Sequence, residues 1–246
     1  MKKVILALLI SQTIFSLNIG LLTVATGKYI NFAPQLIKSA RKFFGGNNSV
    51  THFIFTDQDL DISHYPWVRV AFQKKLDWPF STMMRFHTYY NNREILKDMD
   101  YLFACDVDML FADYVGDEIL SDRVGTIHSG FIYNYGTYDK NPNSKAYIKD
   151  DNGIYFAGGF YGGNQDEFLK ICKTCKENID FDLQKNYIAV WHDESHLNRY
   201  FRDNPPTKVL SPEYCSPDKK NINAAFSLIF KKKLIALDKN HSAYQK

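Results

Sequence analysis

The stretch DYLFACDVDM, residues 100–109, is the part of the sequence that most clearly indicates a fold. The run from Tyr101 to Cys105 is mostly apolar, which is typical of a strand buried in a sheet. Asp106 and Asp108 follow it, and because side chains alternate along a strand, we expect both carboxylates to point the same way. Such a pair predicts a site for a hard divalent ion that leaves coordination positions open for a diphosphate. Acidic pairs after strands also cap helices or face water, so this spacing alone does not decide.

Two more apolar runs, residues 19–27 and 50–57, end in polar residues and read as strands. Between them, residues 33–44 place their apolar side chains on one helical face, and GGNN follows. Residues 81–99 predict another helix before the strand of DYLFACDVDM. Strands that alternate with helices predict an α/β fold with a largely parallel sheet, which binds ligands beyond the carboxyl ends of its strands. Those ends carry Thr26, Gly27, Asp57, Asp106 and Asp108.

The composition limits the class of protein. The 246 residues suit one large domain or two closely joined halves, and 45% hydrophobic with 23% charged residues is ordinary for a globular chain. A net charge of +3, with Lys and Arg spread along the chain, argues against nucleic-acid binding. Aromatic residues reach 15%, which suits a core and also a sugar-binding cleft.

The N-terminus admits several interpretations. Lys2 and Lys3 precede an uncharged run over residues 4–27 that is long enough to span a bilayer, although polar residues interrupt it. Its second half reads better as a strand. We therefore expect residues 1–17 to be an N-terminal extension, either a signal-like segment, a membrane-associated segment or the product of a mis-called start, and residues 18–246 to be the folded domain.

Two of the four cysteines, Cys172 and Cys175, form a C-x-x-C pair. Such a pair can be redox-active or half of a metal site. No second pair is present in the sequence, and residues 166–179 have helical spacing of apolar residues. Two ordinary helix thiols are therefore the better interpretation.

The segment AGGFYGG, residues 157–163, contains four glycines in seven residues. It lacks the spacing of a dinucleotide loop or a P-loop. It can be a strand with bulges and turns, or a wall where the backbone comes very close to a ligand. The sequence leaves both interpretations open.

The segment WHDESHLNRY, residues 191–200, places His192 and His196 one helical turn apart, as in a zinc protease. That motif needs Glu directly after the first His, but Asp193 takes this place and Glu194 projects roughly 100° further round the helix. No third ligand is evident nearby, which disfavours zinc. A metal-held phosphate, a glycine wall and a separate carboxylate pair together suit cleavage of a nucleotide sugar.

Eight motifs in order give the sequence a specific resemblance. They are TGKY, FTD, DYLFACDVDM, GTIHSGF, TYDKNPNSKAYI, AGGFYGG, WHDESHLN and PTKVLSPEY. From about Ile19 to its C-terminus the chain resembles glycosyltransferase family 6, the retaining α1,3-glycosyltransferases that include the blood-group A and B transferases, α1,3-galactosyltransferase and bacterial relatives. The resemblance implies a GT-A fold, which is a single Rossmann-like nucleotide-sugar-binding domain of α/β class with a mixed central sheet. It displaces the zinc interpretation.

The resemblance also implies residue roles. Asp106 and Asp108 would hold Mn²⁺, and Glu194 would lie under the anomeric carbon as the catalytic residue and also face the acceptor. The residues implied for the UDP-sugar donor are Val24, Ala25, Thr26, Tyr29, Arg85, Asp106, Val107, Asp108, Ala157, Gly158, Gly159, Asp193, Lys239 and His241. Those implied for a β-galactoside oligosaccharide acceptor are His128, Thr137, Trp191 and Glu194.

The chain departs from the family pattern at three places. An aspartate that relatives use for the acceptor aligns with Pro217, and Asp218 stands one place later. The C-terminal tail, about residues 236–246, is expected to fold over the diphosphate as a mobile lid, but Gln245 replaces an arginine there. The anchor and stem of the animal enzymes are missing, which favours a bacterial or viral enzyme in the cytoplasm and leaves association with the inner face of the membrane open.

The expected reaction transfers N-acetylgalactosamine from UDP-GalNAc in α1,3 linkage to a β-galactoside, fucosylated acceptors included. The small residues Ala157 and Gly159 leave room for the N-acetyl group, which is the basis for this donor. Three alternatives remain: a UDP-galactose-using α1,3-galactosyltransferase, a nucleotide-sugar hydrolase, and a sugar-binding protein without turnover.

Overall fold

The computed structural model describes residues 16–132, 135–218 and 231–238. The extension predicted over residues 1–17 lies almost wholly outside these ranges, and so do Lys239, His241 and Gln245 of the predicted lid. Within the described ranges, no helix combines the length and the apolar character needed to cross a bilayer.

In the described residues, ten strands form two sheets. They are β1 (Asn18–Val24), β2 (Ser49–Thr56), β3 (Val68–Phe72), β4 (Tyr101–Cys105), β5 (Met109–Phe111), β6 (Arg123–Ile127), β7 (Phe156–Asn164), β8 (Lys208–Leu210), β9 (Ser216–Pro217) and β10 (Leu234–Ala236). The main sheet has the order β3-β2-β1-β4-β7-β6-β8, and the small sheet has the order β5-β10-β9.

The main sheet is mixed. Strands β3, β2, β1 and β4 are parallel to one another, and β6 is parallel to β8. Strand β7 runs antiparallel to both of its neighbours, β4 and β6. The predicted α/β fold with a mixed central sheet is therefore confirmed. The sheet is also largely parallel, as expected, and β7 is its antiparallel strand.

The same described ranges contain five α-helices: α1 (Ala33–Phe43), α2 (Phe80–Met83), α3 (Arg85–Asn91), α4 (Gln165–Gln184) and α5 (His192–Asp203). Helix α1 confirms the helix expected over residues 33–44. The single helix expected over residues 81–99 is instead α2, α3 and a 3₁₀ turn at Arg93–Leu96. The breaks fall at Met84 and Asn92, whose ψ angles of 10° and 15° lie outside the α-helical range.

Hydrophobic clusters cover both faces of the main sheet, because side chains alternate along its central strands. On β4, Leu102 and Ala104 join a cluster with α3, α4 and α5, whereas Phe103 and Cys105 join a second cluster with α1 and β5. At the centre of the second cluster, the Phe160 ring stacks on Phe103 at 5.6 Å between ring centroids.

The second glycine pair of AGGFYGG, Gly162 and Gly163, serves close packing. A Cβ atom on Gly162 would lie 2.3 Å from the Phe103 ring, and one on Gly163 would lie 2.1 Å from the Asp122 carbonyl oxygen. Both distances are far too short for any side chain. This half of the segment is therefore a closely packed strand. It agrees with the first interpretation, which was a strand with bulges and turns.

The segment over residues 135–151 has little regular structure, yet several of its side chains are buried. Tyr138, Asp139 and Ile148 are buried. The Asp139 carboxylate accepts hydrogen bonds from the Tyr187 hydroxyl at 2.8 Å and the Val190 N–H at 3.0 Å. These bonds tie the segment to the residues just before α5.

Helix α4 carries Cys172 and Cys175 as free, fully buried thiols. Burial raises the pKa of both thiols well above the ordinary value, which keeps them protonated and unreactive. The interpretation as ordinary helix thiols agrees with this packing.

Phe160→Ala should lower the free energy of unfolding by about 3–5 kcal/mol, because it empties the centre of the aromatic cluster. Phe72→Ala on the same sheet is the matched control. Phe72 is 78% exposed, and its truncation should change the stability by less than about 0.5 kcal/mol. Chemical denaturation of both variants measures the difference, and equal losses would show that Phe160 does not lie in the core.

Candidate functional site

A cleft of about 530 Å³ opens at the carboxyl ends of β1 and β4, where the α/β pattern places ligands. Seven residues predicted for the donor line it: Val24, Thr26, Tyr29, Arg85, Asp106, Val107 and Asp108. Ala25, also predicted for the donor, is fully buried and packs in a core cluster. Sequence reasoning missed other lining residues, among them Lys28, Lys75, Trp78, Ser81 and Thr82.

The two missed lysines give the cleft cationic groups that suit a diphosphate. Lys28 follows Gly27, and Lys75 packs its side chain against Gly27, where a Cβ atom would lie 3.2 Å from the Lys75 Cδ. Gly27 has a φ of 56°, which favours glycine, and its N–H donates to Asp57 Oδ1 at 2.7 Å. The adjacent lysines Lys74 and Lys75 could have suggested a cationic lining from the sequence, but nothing in the sequence indicates which of the two faces the cleft.

Asp106 and Asp108 do not lie on a strand, so the alternation argument for them is wrong. Strand β4 ends at Cys105, and the three residues after it form a turn closed by the Met109 N–H, which donates to the Asp106 carbonyl at 3.1 Å. The turn still brings both carboxylates to the cleft. Asp108 is buried at 6% exposure, whereas the Asp106 side chain is 29% exposed.

Arg85, at the start of α3, joins the parts of the site. Its Nη1 donates to Asp106 Oδ1 at 2.6 Å and to the Gly158 carbonyl oxygen at 3.0 Å. Its Nε lies 2.8 Å from Asp193 Oδ2. Burial opposes the charge on Arg85, but Asp106 and then Asp193 outweigh burial and hold the guanidinium pKa well above its ordinary value. Arg85 therefore remains a cation between two carboxylates.

The first glycine pair of AGGFYGG faces this site. The Gly158 N–H donates to Glu194 Oε2 at 2.7 Å, and a Cβ atom on Gly158 would lie 3.3 Å from the same oxygen. A Cβ atom on Gly159 would lie 3.1 Å from Cys215 Sγ and 3.8 Å from Asp106 Oδ2. This half of the segment therefore packs against the carboxylates and the thiol of the candidate site, and its approach to a ligand stays a prediction. Ala157, the residue before the pair, is buried in β7.

Helix α5 presents Asp193 and Glu194 in its first turn. His192 has a φ of 52°, and the Trp191 N–H donates to the Ser195 hydroxyl at 2.9 Å, which fixes the start of the helix. Burial raises the Asp193 pKa to about 6, against the opposing effect of Arg85. Burial also raises the Glu194 pKa, while hydrogen bonds from Gly158 and Tyr155 lower it. Both groups are therefore buried acids whose ionisation depends on their donors.

The two histidines of this segment do not form a metal site. His196 is buried, and its Nε2 lies 3.7 Å from Asp182 Oδ2, while the His192 ring packs edge-on against Trp78 at 5.0 Å. Burial lowers the His196 pKa to about 4. Across residues 16–132, 135–218 and 231–238, no three His, Cys, Asp or Glu side chains group as metal ligands.

Cys215 is a site residue that sequence reasoning missed. Burial raises the pKa of its thiol, and Asp106, Glu194 and Asp108 raise it further. A Cβ atom on Gly159 would lie 3.1 Å from this sulfur and 3.8 Å from Asp106 Oδ2, so the thiol lies beside the first glycine pair. A single cysteine in the stretch SPEYC offers no signal of such a position.

The acceptor residues predicted from the sequence lie outside the main cleft. The His128 ring packs on Tyr155 at 5.8 Å, and the exposed Thr137 precedes Tyr138, whose ring packs on Tyr155 at 5.2 Å. Trp191 is 47% exposed at the start of α5. The structure therefore places the His128 ring in an aromatic cluster with Tyr155, and Thr137 lies next to a member of that cluster, Tyr138.

The start of the predicted lid is attached to the Asp106–Asp108 turn. Strand β10 pairs antiparallel with β5, and the Leu237 N–H donates to the Asp108 carbonyl at 2.8 Å. Pro217 lies in β9 and pairs with Ala236. The predictions for Lys239 and His241 fall outside the described residues.

Comparison with known proteins matches residues 6–245 to the family described as glycosyltransferase family 6. The chain belongs to this family. It is 37% identical over 238 residues to the histo-blood group ABO system transferase 1 of Rattus norvegicus, covering 92% of this chain and 68% of that protein. It is 32% identical over 239 residues to the globoside alpha-1,3-N-acetylgalactosaminyltransferase 1 of Homo sapiens, covering 92% and 68%.

The match to a bacterial relative spans a larger share of that relative's length. The O-antigen biosynthesis glycosyltransferase WbnI of Escherichia coli is 29% identical over 222 residues, which cover 87% of this chain and 94% of WbnI. Membership in the family confirms the resemblance and the GT-A fold. The protein is a glycosyltransferase, an enzyme that uses a nucleotide-sugar donor and a glycan acceptor, and transferases of this family generally depend on a divalent cation.

Arg85→Met should lower the free energy of unfolding by about 3–5 kcal/mol, because it leaves the buried Asp193 carboxylate without its cation. Arg69→Met on β3 is the control, since Arg69 is exposed and forms no ion pair in the described structure. Its effect should stay below about 0.5 kcal/mol. Urea denaturation at neutral pH gives both values. A loss for Arg85→Met as small as that of the control would contradict the buried ion-pair arrangement.

Proposed function

We propose that the protein is a retaining transferase that moves N-acetylgalactosamine from UDP-GalNAc in α1,3 linkage to a β-galactoside. One observation carries the proposal: Arg85 and Gly158 link the Asp106 turn to Asp193 and Glu194 at the edge of one cleft. A nucleotide sugar needs one set of carboxylates to hold the cation that binds its diphosphate, and a second set beside it to contact its sugar ring. The relatives named for N-acetylgalactosamine transfer agree with the donor.

Asp106 and Asp108 fit a divalent cation. Both are oxygen donors in the turn that follows β4, and in the part of the chain that the structure describes they belong to no group of three His, Cys, Asp or Glu ligands. Two carboxylates leave coordination positions for diphosphate oxygens and water, as hard cations such as Mn²⁺ accept. When bound, such an ion supplies positive charge against the charge of the leaving diphosphate. Lys28 and Lys75 line the same cleft and would bind diphosphate oxygens.

Glu194 would act on the anomeric carbon. The Gly158 N–H donates to its carboxylate at 2.7 Å, so the main chain of β7 fixes the position of this group. From there it either attacks the anomeric carbon or stabilises a cationic transition state, and both routes retain configuration at that carbon. Asp193, held by Arg85, would bind hydroxyl groups of the donor sugar.

Two other functions use the same donor residues. A nucleotide-sugar hydrolase needs no acceptor residues, so His128, Thr137 and Trp191 disfavour it. A galactosyltransferase differs only in the donor sugar, and a human relative carries the name alpha-1,3-galactosyltransferase 2. A sugar-binding protein without turnover is excluded by membership in the enzyme family.

UDP release tests the proposal directly. The assay uses Mn²⁺ and UDP-GalNAc, UDP-galactose, UDP-glucose or UDP-GlcNAc, each with and without a β-galactoside. Release from UDP-GalNAc that depends on the acceptor, together with a product whose new bond is cleaved by an α-specific hexosaminidase, supports the transferase. Equal release without acceptor would instead identify a hydrolase.

Chelation should abolish transfer and Mn²⁺ should restore it. Asp108→Asn should reduce kcat/KM by at least about 100-fold, since it removes one of two charged ligands of the ion. Asp113→Asn is the control, because Asp113 pairs with Lys231 at 2.6 Å outside the cleft. Steady-state rates in chelator and in added Mn²⁺ measure both variants. Undiminished transfer by Asp108→Asn in chelator would rule out the proposed ion site.

Glu194→Gln should lower kcat by at least about 1000-fold while UDP affinity changes little, because the lost charge acts mainly in the transition state. Glutamine keeps the size of the side chain and can still accept from the Gly158 N–H. Turnover is measured as sugar transfer, and UDP affinity is measured by calorimetry. If kcat falls tenfold or less, Glu194 only shapes the cleft.

Gly159→Ala should shift the donor preference toward galactose. The unmodified enzyme should favour UDP-GalNAc by about 10- to 200-fold, because one unfilled pocket discriminates by only about 1–3 kcal/mol. The added methyl group would occupy donor space or press on Cys215 Sγ, 3.1 Å away. Combining Gly159→Ala with Cys215→Ala should restore part of the space beside residue 159 and part of the preference for UDP-GalNAc. The Cys215→Ala variant alone is the control. Side-by-side kcat/KM values decide, and equal values for both donors in the unmodified enzyme would contradict the prediction.

A further inference from the structure

Asp57 follows β2 directly, at the carboxyl end of the main sheet, but it does not line the cleft itself. Both of its carboxylate oxygens accept hydrogen bonds. Oδ1 accepts from the Gly27 N–H at 2.7 Å, and Oδ2 accepts from the Gln58 side-chain amide at 2.7 Å. An acid one hydrogen bond away from a cleft for a diphosphate opposes the binding of that anion, because like charges repel. Its presence there calls for a compensating role.

The bond from Gly27 to Asp57 continues the hydrogen-bond ladder between β1 and β2. The last backbone bond of that ladder runs from the Ala25 N–H to the Phe55 carbonyl at 2.8 Å. In a parallel pair the next donor lies two residues further along, at Gly27, and the next acceptor lies two residues beyond Phe55, at Asp57. At this position the Asp57 side chain accepts in place of a backbone carbonyl. Asp57 therefore fixes the point where the chain after β1 leaves the sheet.

The main chain at Gly27 supports two cationic side chains of the cleft. Gly27 lies between Thr26 and Lys28, which both line the cleft. Its φ of 56° is one of several backbone conformations open to glycine, so a bond to its N–H selects one of them. The stem of Lys75, another lining residue, packs on Gly27, where a Cβ atom would lie 3.2 Å from the Lys75 Cδ. One hydrogen bond thus holds the backbone that carries Lys28 and contacts Lys75.

We propose that Asp57 is a positioning residue that holds the Gly27 turn in the conformation that binds the diphosphate of the nucleotide sugar. Without the carboxylate, Gly27 would exchange among several conformations, and the apparent affinity for the nucleotide would fall with the population of the competent one. A turn that is already fixed also spares the cost of ordering it during binding. The inference rests on the proposed donor cleft, and it concerns binding of the nucleotide, not the chemical step.

The direction of the effect distinguishes this role from a simple effect of charge. If Asp57 contributed only its charge, Asp57→Ala would strengthen UDP binding, because it removes a negative charge near the diphosphate. If Asp57 holds the turn, the same variant weakens UDP binding. Asp57→Asn also removes the charge, but its Oδ1 can still accept from the Gly27 N–H, and its amide can donate to Gln58 once that side-chain amide turns over.

The experiment measures UDP affinity by calorimetry in the presence of Mn²⁺ on the full-length enzyme. Asp57→Ala should weaken UDP binding and raise the donor KM by about 10-fold, with kcat at saturating donor within about threefold. Asp57→Asn should restore UDP affinity to within about threefold of the unmodified enzyme. Asp61→Ala is the matched control. Asp61 Oδ1 accepts from the Ser63 N–H at 2.9 Å outside the cleft, so this variant removes the same charge and the same kind of bond. It should leave UDP affinity unchanged.

Lys75→Met tests the cleft itself, since loss of this cation should weaken UDP binding whatever the role of Asp57. Three results would overturn the role of Asp57 while the cleft stands on the Lys75→Met result. They are unchanged or stronger UDP binding by Asp57→Ala, an equal loss in Asp61→Ala, and a loss in Asp57→Asn as large as that in Asp57→Ala. If neither Lys75→Met nor Asp108→Asn weakens UDP binding, the proposed donor cleft is wrong, and the inference for Asp57 fails with it.

Discussion

The ion pairs of Arg85 are the constraint on which the rest of the site depends. A buried guanidinium is tolerated only where carboxylates and carbonyl oxygens satisfy its donors. Arg85 finds them on three separate segments: Asp106 after β4, the Gly158 carbonyl on β7 and Asp193 on α5. Since these residues are far apart in the chain, the pairing fixes how the helices lie on the sheet. The acidic groups for which we propose donor binding and catalysis therefore lie in one place in the free protein. One shared cation offsets the repulsion between like charges.

Strand β7 serves the site and the core with different halves of the same glycine-rich segment. Its first half brings the main chain close to Glu194. Its second half packs tightly against the Phe103 ring and the Asp122 carbonyl, where no side chain would fit. The antiparallel direction of β7 is what allows both. It places the first glycine pair beside the end of β4, where Asp106 pairs its N–H with the Gly159 carbonyl at 3.0 Å. Backbone donors supply a fixed polar environment that needs no rearrangement during the reaction.

Sequence patterns correctly predicted those elements whose formation depends mainly on residues near one another in the chain. The strands around residues 19–27, 50–57 and 101–105, the helix α1 and the buried thiols of α4 all followed from apolar periodicity. The motifs singled out Asp106 and Asp193, which the structure brings together on Arg85. The sequence predictions failed where contacts between residues far apart in the chain determine the local structure. The helix expected over residues 81–99 is broken, and its second part begins at Arg85, the residue held by the ion pairs. The Asp106–Asp108 segment turns because β5 follows at once. Polar residues around Asp139 are buried because the Tyr187 and Val190 donors come from elsewhere. Cys215 has no sequence signal at all.

The hydrogen bond from Leu237 to the Asp108 carbonyl affects how deletion experiments on the C-terminus must be interpreted. Strand β10 is the antiparallel partner of β5, so residues 234–237 hold the acidic turn from behind. A truncation that begins before Leu234 removes a structural support of that turn along with the tail. Its inactivity would carry no information about closure over the substrate. A chain that ends after Asp238 keeps the sheet intact, and only such a boundary separates the support of the turn from whatever the last residues contribute to the bound state.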